Sequence, residues 1–252
     1  MTVLLSVKDL TKSFGRLQAV DRVSFEVVEG EIYGIAGPNG AGKTTLFNLI
    51  TGIPFRRDSG VIVFRGERID TLPPYEIFRR GIARTFQKET AFDTLTVEQN
   101  VRVAAAFGHP RGRGPRAEEA DVAQALELID LQAEHGRLAA ELPLYAKKRL
   151  MLASAMVVGP TLLMLDEPAA GLNVVELEQL EQLIRSLRGL GTTIVIIEHV
   201  LPLLFGVSDR VMIMDSGEKI AEGEPESVAR DDAVIEAYLG KRGKEAFHAA
   251  AG

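Results

Sequence analysis

The 252-residue chain has no cysteine. Disulfide frameworks, thiolate catalysis and zinc–cysteine sites are therefore excluded, and a reducing compartment fits. Long apolar runs are missing too: no stretch approaches the roughly 18 residues of a membrane-spanning helix. The opening residues MTVLLSVKDLTKSFG show no charged leader followed by an apolar segment, so no signal peptide is expected. Work at a membrane would then go through partners. Basic charge is not in excess. Acidic residues outnumber basic ones, 35 to 29, for a net charge of −6, which speaks against a bulk nucleic-acid binder. Hydrophobic residues at 46% and charged residues at 25% are ordinary for a globular protein, and the length suits one large domain or two modest ones.

What is present is concentrated between residues 31 and 52. An apolar run at 32–36 reads as a buried strand. Gly37, Pro38, Asn39, Gly40, Ala41, Gly42, Lys43 and Thr44 follow and satisfy G-x-x-x-x-G-K-[ST]. Then Leu46, Phe47, Leu49 and Ile50 fall at helical spacing, and Gly52 with Pro54 ends the helix. Strand, glycine loop and helix N-terminus form the context of a phosphate-binding loop. Its glycines allow tight turns that aim N–H groups at an anion, and the helix end adds unpaired donors and a positive dipole. Lys43 supplies a full charge for the outer phosphates, and the Thr44 hydroxyl suits Mg²⁺. The competing reading, a plain glycine-rich turn, does not account for four fixed positions in this context. The chain is expected to bind a nucleoside triphosphate.

Around this loop the pattern is α/β. Residues 4–28 mostly alternate and predict antiparallel strands, with Val23, Phe25 and Val27 on one face. Phe14 sits in a turn between them, and spacing alone assigns it to core packing. Helices are predicted at 94–107 and 117–131, separated by a basic Gly/Pro-rich loop at 108–115 that reads as a linker or a solvated surface loop. The helical block at 75–158 reads as an inserted subdomain. Four apolar residues, 162–165, then lead into Asp166, Glu167 and Pro168. A helix follows with Val174, Leu177, Leu180, Ile184 and Leu187 on one face. A continuous apolar strand at 193–197 ends in Glu198 and His199, as in a parallel sheet covered on both sides. A hairpin at 211–221 and a last helix at 232–239 complete one domain, 1–240, with a flexible tail at 241–252. Ligands of open α/β sheets sit at the carboxyl ends of the strands. The phosphate loop, Asp166–Glu167 and His199 all follow such ends and are expected to converge. Asp166 suits Mg²⁺, and Glu167 suits a water-activating base. Taken singly, the acid pair could cap a helix and the histidine could be structural.

These residues carry a resemblance. From about 4 to 239 the chain resembles the ATP-binding subunits of ABC transporters, with motifs in family order. The resemblance implies a P-loop NTPase α/β core with an N-terminal antiparallel β subdomain and an inserted α-helical subdomain. It implies ATP and Mg²⁺ as ligands. Phe14 matches the aromatic that stacks on adenine, which reverses its core reading. Gly37 to Thr45 matches Walker A, Gln87 the Q-loop residue that reaches the metal and faces the membrane partner, and Asp166 with Glu167 matches Walker B and its catalytic glutamate. Ala170, Gly171, Leu172 and Asn173 match the D-loop, and His199 the switch histidine. GIARTFQ, DTLTVEQNV, MLDEPAAGLN, IEHVLPLLFGVSDRV and AVIEAYLG resemble the branched-chain amino acid importer (LivG-type) group, and urea and lipopolysaccharide-exporting relatives share much of this. The implied setting is the cytoplasmic face of a membrane, held peripherally by two permease subunits, with a solute-binding protein as an indirect partner and no nucleic acid.

One motif departs. The family signature LSGGQ falls on Leu142, Pro143, Leu144, Tyr145 and Ala146. Pro143 has neither hydroxyl nor N–H, and Tyr145 puts a ring where close backbone approach needs glycine. Because the signature serves the opposite site of a head-to-tail dimer, a homodimer is expected to have two damaged sites. A heterodimer with a second ABC ATPase carrying a good signature is expected to keep one competent site, built on Lys43 and Glu167. The alternative is an ATP-dependent clamp or regulatory subunit with weak or no hydrolysis.

Overall fold

The two opening strands, β1 (Val3–Phe14) and β2 (Leu17–Val28), pair antiparallel from Val3↔Val28 to Phe14↔Leu17. The computed structural model describes residues 2–88, 90–108 and 115–240. They fall into two compact units, one formed by Met1–Pro74 with the segment that starts at Thr193, the other by Tyr75–Thr192. In the first unit the alternation of β2 does what its chemistry requires: Val20, Val23, Phe25 and Val27 are buried, and Gln18, Arg22 and Glu26 are exposed. β3 (Ile32–Ala36), buried at every residue, leads through the glycine loop into α1 (Lys43–Thr51), which Gly52 closes in the left-handed conformation. β4 (Ser59–Phe64) and β5 (Glu67–Arg68) extend the antiparallel sheet to the order β2-β1-β4-β5.

α2 (Pro74–Arg79) leads into the second unit. There β6 (Ile82–Arg84) is followed by α3 (Val97–Gly108), α4 (Pro115–Leu128) and α5 (Leu144–Met156), which pack on one another. α3 starts three residues later than its apolar spacing predicts. Thr96 and Gln99 exchange side chain-to-backbone hydrogen bonds at 3.2 and 2.9 Å, a reciprocal cap that places Thr94 and Leu95 in the preceding turn. The expected linker at 108–115 falls mostly outside the described residues. β7 (Leu162–Asp166) runs parallel to β6, with Ala83 opposite Leu163 and Arg84 opposite Met164. α6 (Val174–Gly189) buries Leu180, Ile184 and Leu187 as expected, but Val174 is 71% exposed. Asn173 caps this helix in a capping box with Glu176, and that cap sets Val174 in the first turn against solvent.

The chain then returns to the first unit. β8 (Thr193–Ile197), fully buried, and β9 (Arg210–Asp215) flank β3 on either side and run parallel to it; β10 (Glu218–Gly223) pairs antiparallel with β9. The order is β10-β9-β3-β8. α7 (Leu201–Val207), α8 (Pro225–Ala229) and a last helix, α9, over residues 232–240 complete the described chain. The tail expected to be flexible lies outside it.

Candidate functional site

In the first unit the glycine loop is folded over its own lysine. The Lys43 side chain is buried, and its ammonium donates to the carbonyls of Gly37 at 2.7 Å and Pro38 at 2.9 Å. Its charge is thus held under the loop at the N-terminus of α1, where the helix offers first-turn N–H donors. Two glycines are there of necessity. A Cβ on Gly37 would lie 2.0 Å from the Met214 carbonyl oxygen, and one on Gly42, at φ +98°, would lie 2.1 Å from the Ala19 carbonyl oxygen. Gly42→Ala is therefore expected to cost more than about 2 kcal/mol of stability and to abolish nucleotide binding, checked by chemical denaturation and by titration with a fluorescent ATP analogue. The loop is braced from outside as well: the Gly217 N–H, in the turn between β9 and β10, donates to the Ala41 carbonyl at 3.1 Å. Gly40 lies at positive φ, Asn39 and Thr44 are exposed, and Pro38 and Thr45 are half-buried.

Two further expected residues lie in the same unit. β8 pairs with β3 at Ile35↔Ile197, and the Glu198 N–H donates to the Ile35 carbonyl at 3.3 Å, so His199 emerges one strand over from the loop. Its imidazole is exposed. Its backbone is fixed by Glu198, which is fully buried and accepts from the N–H groups of His199 and Val200 at 3.1 and 3.4 Å. Phe14 ends β1 and is 43% exposed, so it is not the core position that its spacing predicts.

The second unit carries the acids. β7 ends in Asp166, and Glu167 follows in the left-handed conformation at φ +50°, a strained position for a non-glycine residue of the kind that recurs where geometry matters more than stability. The parallel pairing of β6 with β7, continued by the Thr85 N–H bond to the Met164 carbonyl at 2.9 Å, delivers two donors to these two acids. Arg84 donates to Asp166 at 2.7 Å, and Gln87 donates to Glu167 at 2.7 Å. The Arg84–Asp166 pair is buried, its side chains 4% and 1% exposed. Burial pulls the guanidinium pKa below its ordinary value, against the opposing pull of Asp166. The guanidinium also lies 5.0 Å from the Phe86 ring centroid.

The segments expected to match the signature and the D-loop are neighbours in this unit. Leu142 is buried, Pro143 is the N-cap of α5 at φ −64° without any side-chain cap, and Ala146 is buried. Tyr145 is half-buried beneath Arg149, whose guanidinium lies 5.0 Å from its ring, and burial raises its hydroxyl pKa. Leu144 fills the space beside Gly171, where a Cβ would lie 2.9 Å from the Leu144 Cδ2; Gly171 sits at φ +80°. Ala170 and Leu172 are half-buried, and Asn173 is the α6 cap. The proline is thus accommodated as a helix start, as its chemistry predicts.

Comparison with known proteins agrees with the motif order. Residues 20–170 match the ABC transporter family, and residues 218–244 match the branched-chain amino acid ATP-binding cassette transporter family. The chain belongs to the ABC transporter family. Among members of this family, the high-affinity branched-chain amino acid transport ATP-binding protein LivG of Escherichia coli is 41% identical over 251 residues, covering 94% of this chain and 98% of LivG. The corresponding protein BraF of Pseudomonas aeruginosa is 38% identical, with the same shares covered. A solved nucleotide-free ATP-binding cassette from an ABC transporter matches with a TM-score of 0.87 at 30% identity, covering 95% of this chain and all of that one. The ABC ATPase fold expected from the motifs is the fold found. Two positions escaped the motif reading: Arg84, a charge at the end of an otherwise apolar strand, and Glu198, a carboxylate closing another. In both cases the signal was present, since a charge at the end of a buried strand requires a partner.

Proposed function

We propose that this chain is the ATP-hydrolysing subunit of an importer for branched-chain amino acids or a similar small polar solute. The observation that carries this reading is the folded phosphate loop with Lys43 drawn beneath it, in a chain that also presents Asp166 and Glu167 at the end of β7. LivG and BraF, named for that transport, are similar over nearly the whole length. Lys43 and the N-terminus of α1 would hold the β- and γ-phosphates. Glu167 would take a proton from the attacking water, and His199 would contact the γ-phosphate. Thr44, Gln87 and Asp166 offer a hydroxyl, an amide and a carboxylate, a donor set that fits Mg²⁺, which supplies charge neutralisation on the phosphates when bound. Before that, Gln87 must leave Glu167.

The signature supports a heterodimer. The N-cap of α5 lacks a hydroxyl, and Pro143 lacks an N–H, so the contact this chain could offer to a partner's γ-phosphate is weakened while its own loop and acids are complete. One competent site would form against a second ATPase subunit with an intact signature, beneath two permease subunits at the cytoplasmic face. Among the described residues no helix is long and apolar enough to cross a membrane, so attachment would be peripheral. The same Pro143 cap is the one feature that favours the clamp reading, in which ATP closes the dimer without turnover. The test is ATP turnover by the purified chain alone and mixed with a candidate partner ATPase. Turnover in the mixture, low turnover alone, supports the heterodimer. Brisk turnover by the lone chain overturns it, and tight ATP binding without turnover in either sample favours the clamp.

A further inference from the structure

The exposed ring of Phe14 does not stand alone. Phe55, in the loop that follows α1, meets it edge to face, with ring centroids 4.8 Å apart and planes at 77°. The Lys12 ammonium lies 5.4 Å from the Phe14 centroid and 6.0 Å from that of Phe55. It is held there by Asp58, which accepts from Lys12 at 2.6 Å and from the Ser13 N–H at 2.7 Å, while the Asp58 N–H donates to the Thr11 carbonyl at 2.9 Å. Three bonds from one residue thus sew the loop carrying Phe55 to the end of the strand carrying Phe14.

This corner is placed for a nucleotide. Phe14 pairs with Leu17 across the turn, and two residues on, the Ala19 carbonyl occupies the space where Gly42 would carry a Cβ. At roughly 3.3 Å per residue along a strand, the turn stands within about 10 Å of the N-terminus of α1, where the phosphates would sit. The β1–β2 hairpin, the helix behind the phosphate loop and the aromatic pair therefore form one frame.

We infer that Phe55 is a positioning residue for the nucleobase: its ring locks Phe14 in the orientation that stacks on the base, so that binding does not have to order a loose side chain. The inference rests on the reading of Phe14 as the base-stacking residue. An edge-to-face aromatic pair and the ordering of one side chain are each worth a few-fold in affinity.

The test compares ATP with inorganic tripolyphosphate, which has no base, by calorimetric titration of the full chain. Phe55→Ala is expected to raise the Kd for ATP about 3- to 10-fold and leave that for tripolyphosphate unchanged. Phe55→Tyr is expected to retain normal affinity. Phe14→Ala is expected to weaken ATP further, and the double variant to match Phe14→Ala alone. If Phe14→Ala weakens ATP while Phe55→Ala does not, the positioning role is overturned and the stacking role of Phe14 stands. If Phe14→Ala leaves ATP binding unchanged, the stacking reading itself falls, and the inference with it. Equal weakening of both ligands by Phe55→Ala would show damage to the phosphate loop and overturn the inference.

Discussion

Glu167→Gln is expected to lower ATP turnover at least about 100-fold while leaving ATP affinity within about twofold. The substitution is chosen by the geometry. Gln87 donates to a Glu167 oxygen at 2.7 Å, and an amide oxygen at position 167 can accept the same bond. The left-handed backbone at φ +50° is no harder for Gln than for Glu. Shape, hydrogen bond and strain are therefore conserved, and what is lost is the carboxylate that can take a proton. The measurement is steady-state phosphate release in the partnered sample beside titration with ATP. Near-normal turnover would remove Glu167 from the base role. Loss of ATP binding would instead assign the acid to the fold of the β7 end.

In this structure the residue expected to reach the metal and the residue expected to activate water are bonded to each other. While Glu167 accepts from an amide, less of its lone-pair capacity is directed at a water. Gln87 follows β6 by three residues, in the loop that the family resemblance assigns to the membrane partner.

How legible all this was depended on the kind of physics each feature uses. The phosphate loop was readable because it is local: a buried strand, glycines whose Cβ atoms have nowhere to go, and a lysine at fixed spacing. The parallel strands β3, β7 and β8 were readable because burial on both faces leaves continuous apolar runs. The start of α3 was not, because the apolar spacing began at Thr94 while the reciprocal Thr96–Gln99 cap decided the boundary. Val174 fits the helical stripe by number, yet the Asn173 cap puts it in a turn with nothing to cover it. Spacing assigned Phe14 to the core, yet it is exposed, since exposure of an aromatic at a strand end is a tertiary fact. Phe55 and Arg84 meet partners distant in sequence, and no local pattern names those partners, whereas Glu198 binds the N–H groups of the two residues that follow it.

The Arg84–Asp166 pair yields the largest expected effect on stability. Arg84→Met should destabilise the protein by about 3–5 kcal/mol, the usual cost of leaving one member of a buried ion pair without its counterion. Both side chains are almost fully removed from solvent, so water cannot replace the guanidinium. Methionine fills much of the stem's volume, which keeps the packing loss small and isolates the charge effect. Lysine is no conservative choice here: a compact ammonium cannot reproduce the planar guanidinium that bonds Asp166 and faces Phe86. Urea unfolding of the single variant, read against Asp166→Leu and the double variant Arg84→Met/Asp166→Leu, separates the terms. The double variant should recover part of the lost stability, because an apolar pair carries no uncompensated charge, while remaining without ATPase activity. A single variant within about 1 kcal/mol of the parent would mean that Asp166 is held by other groups well enough to stay charged, and that Arg84 is dispensable to the acid it touches. Recovery of stability without recovery of activity would instead show a buried charge retained at a stability cost, because the reaction needs a carboxylate at the end of β7.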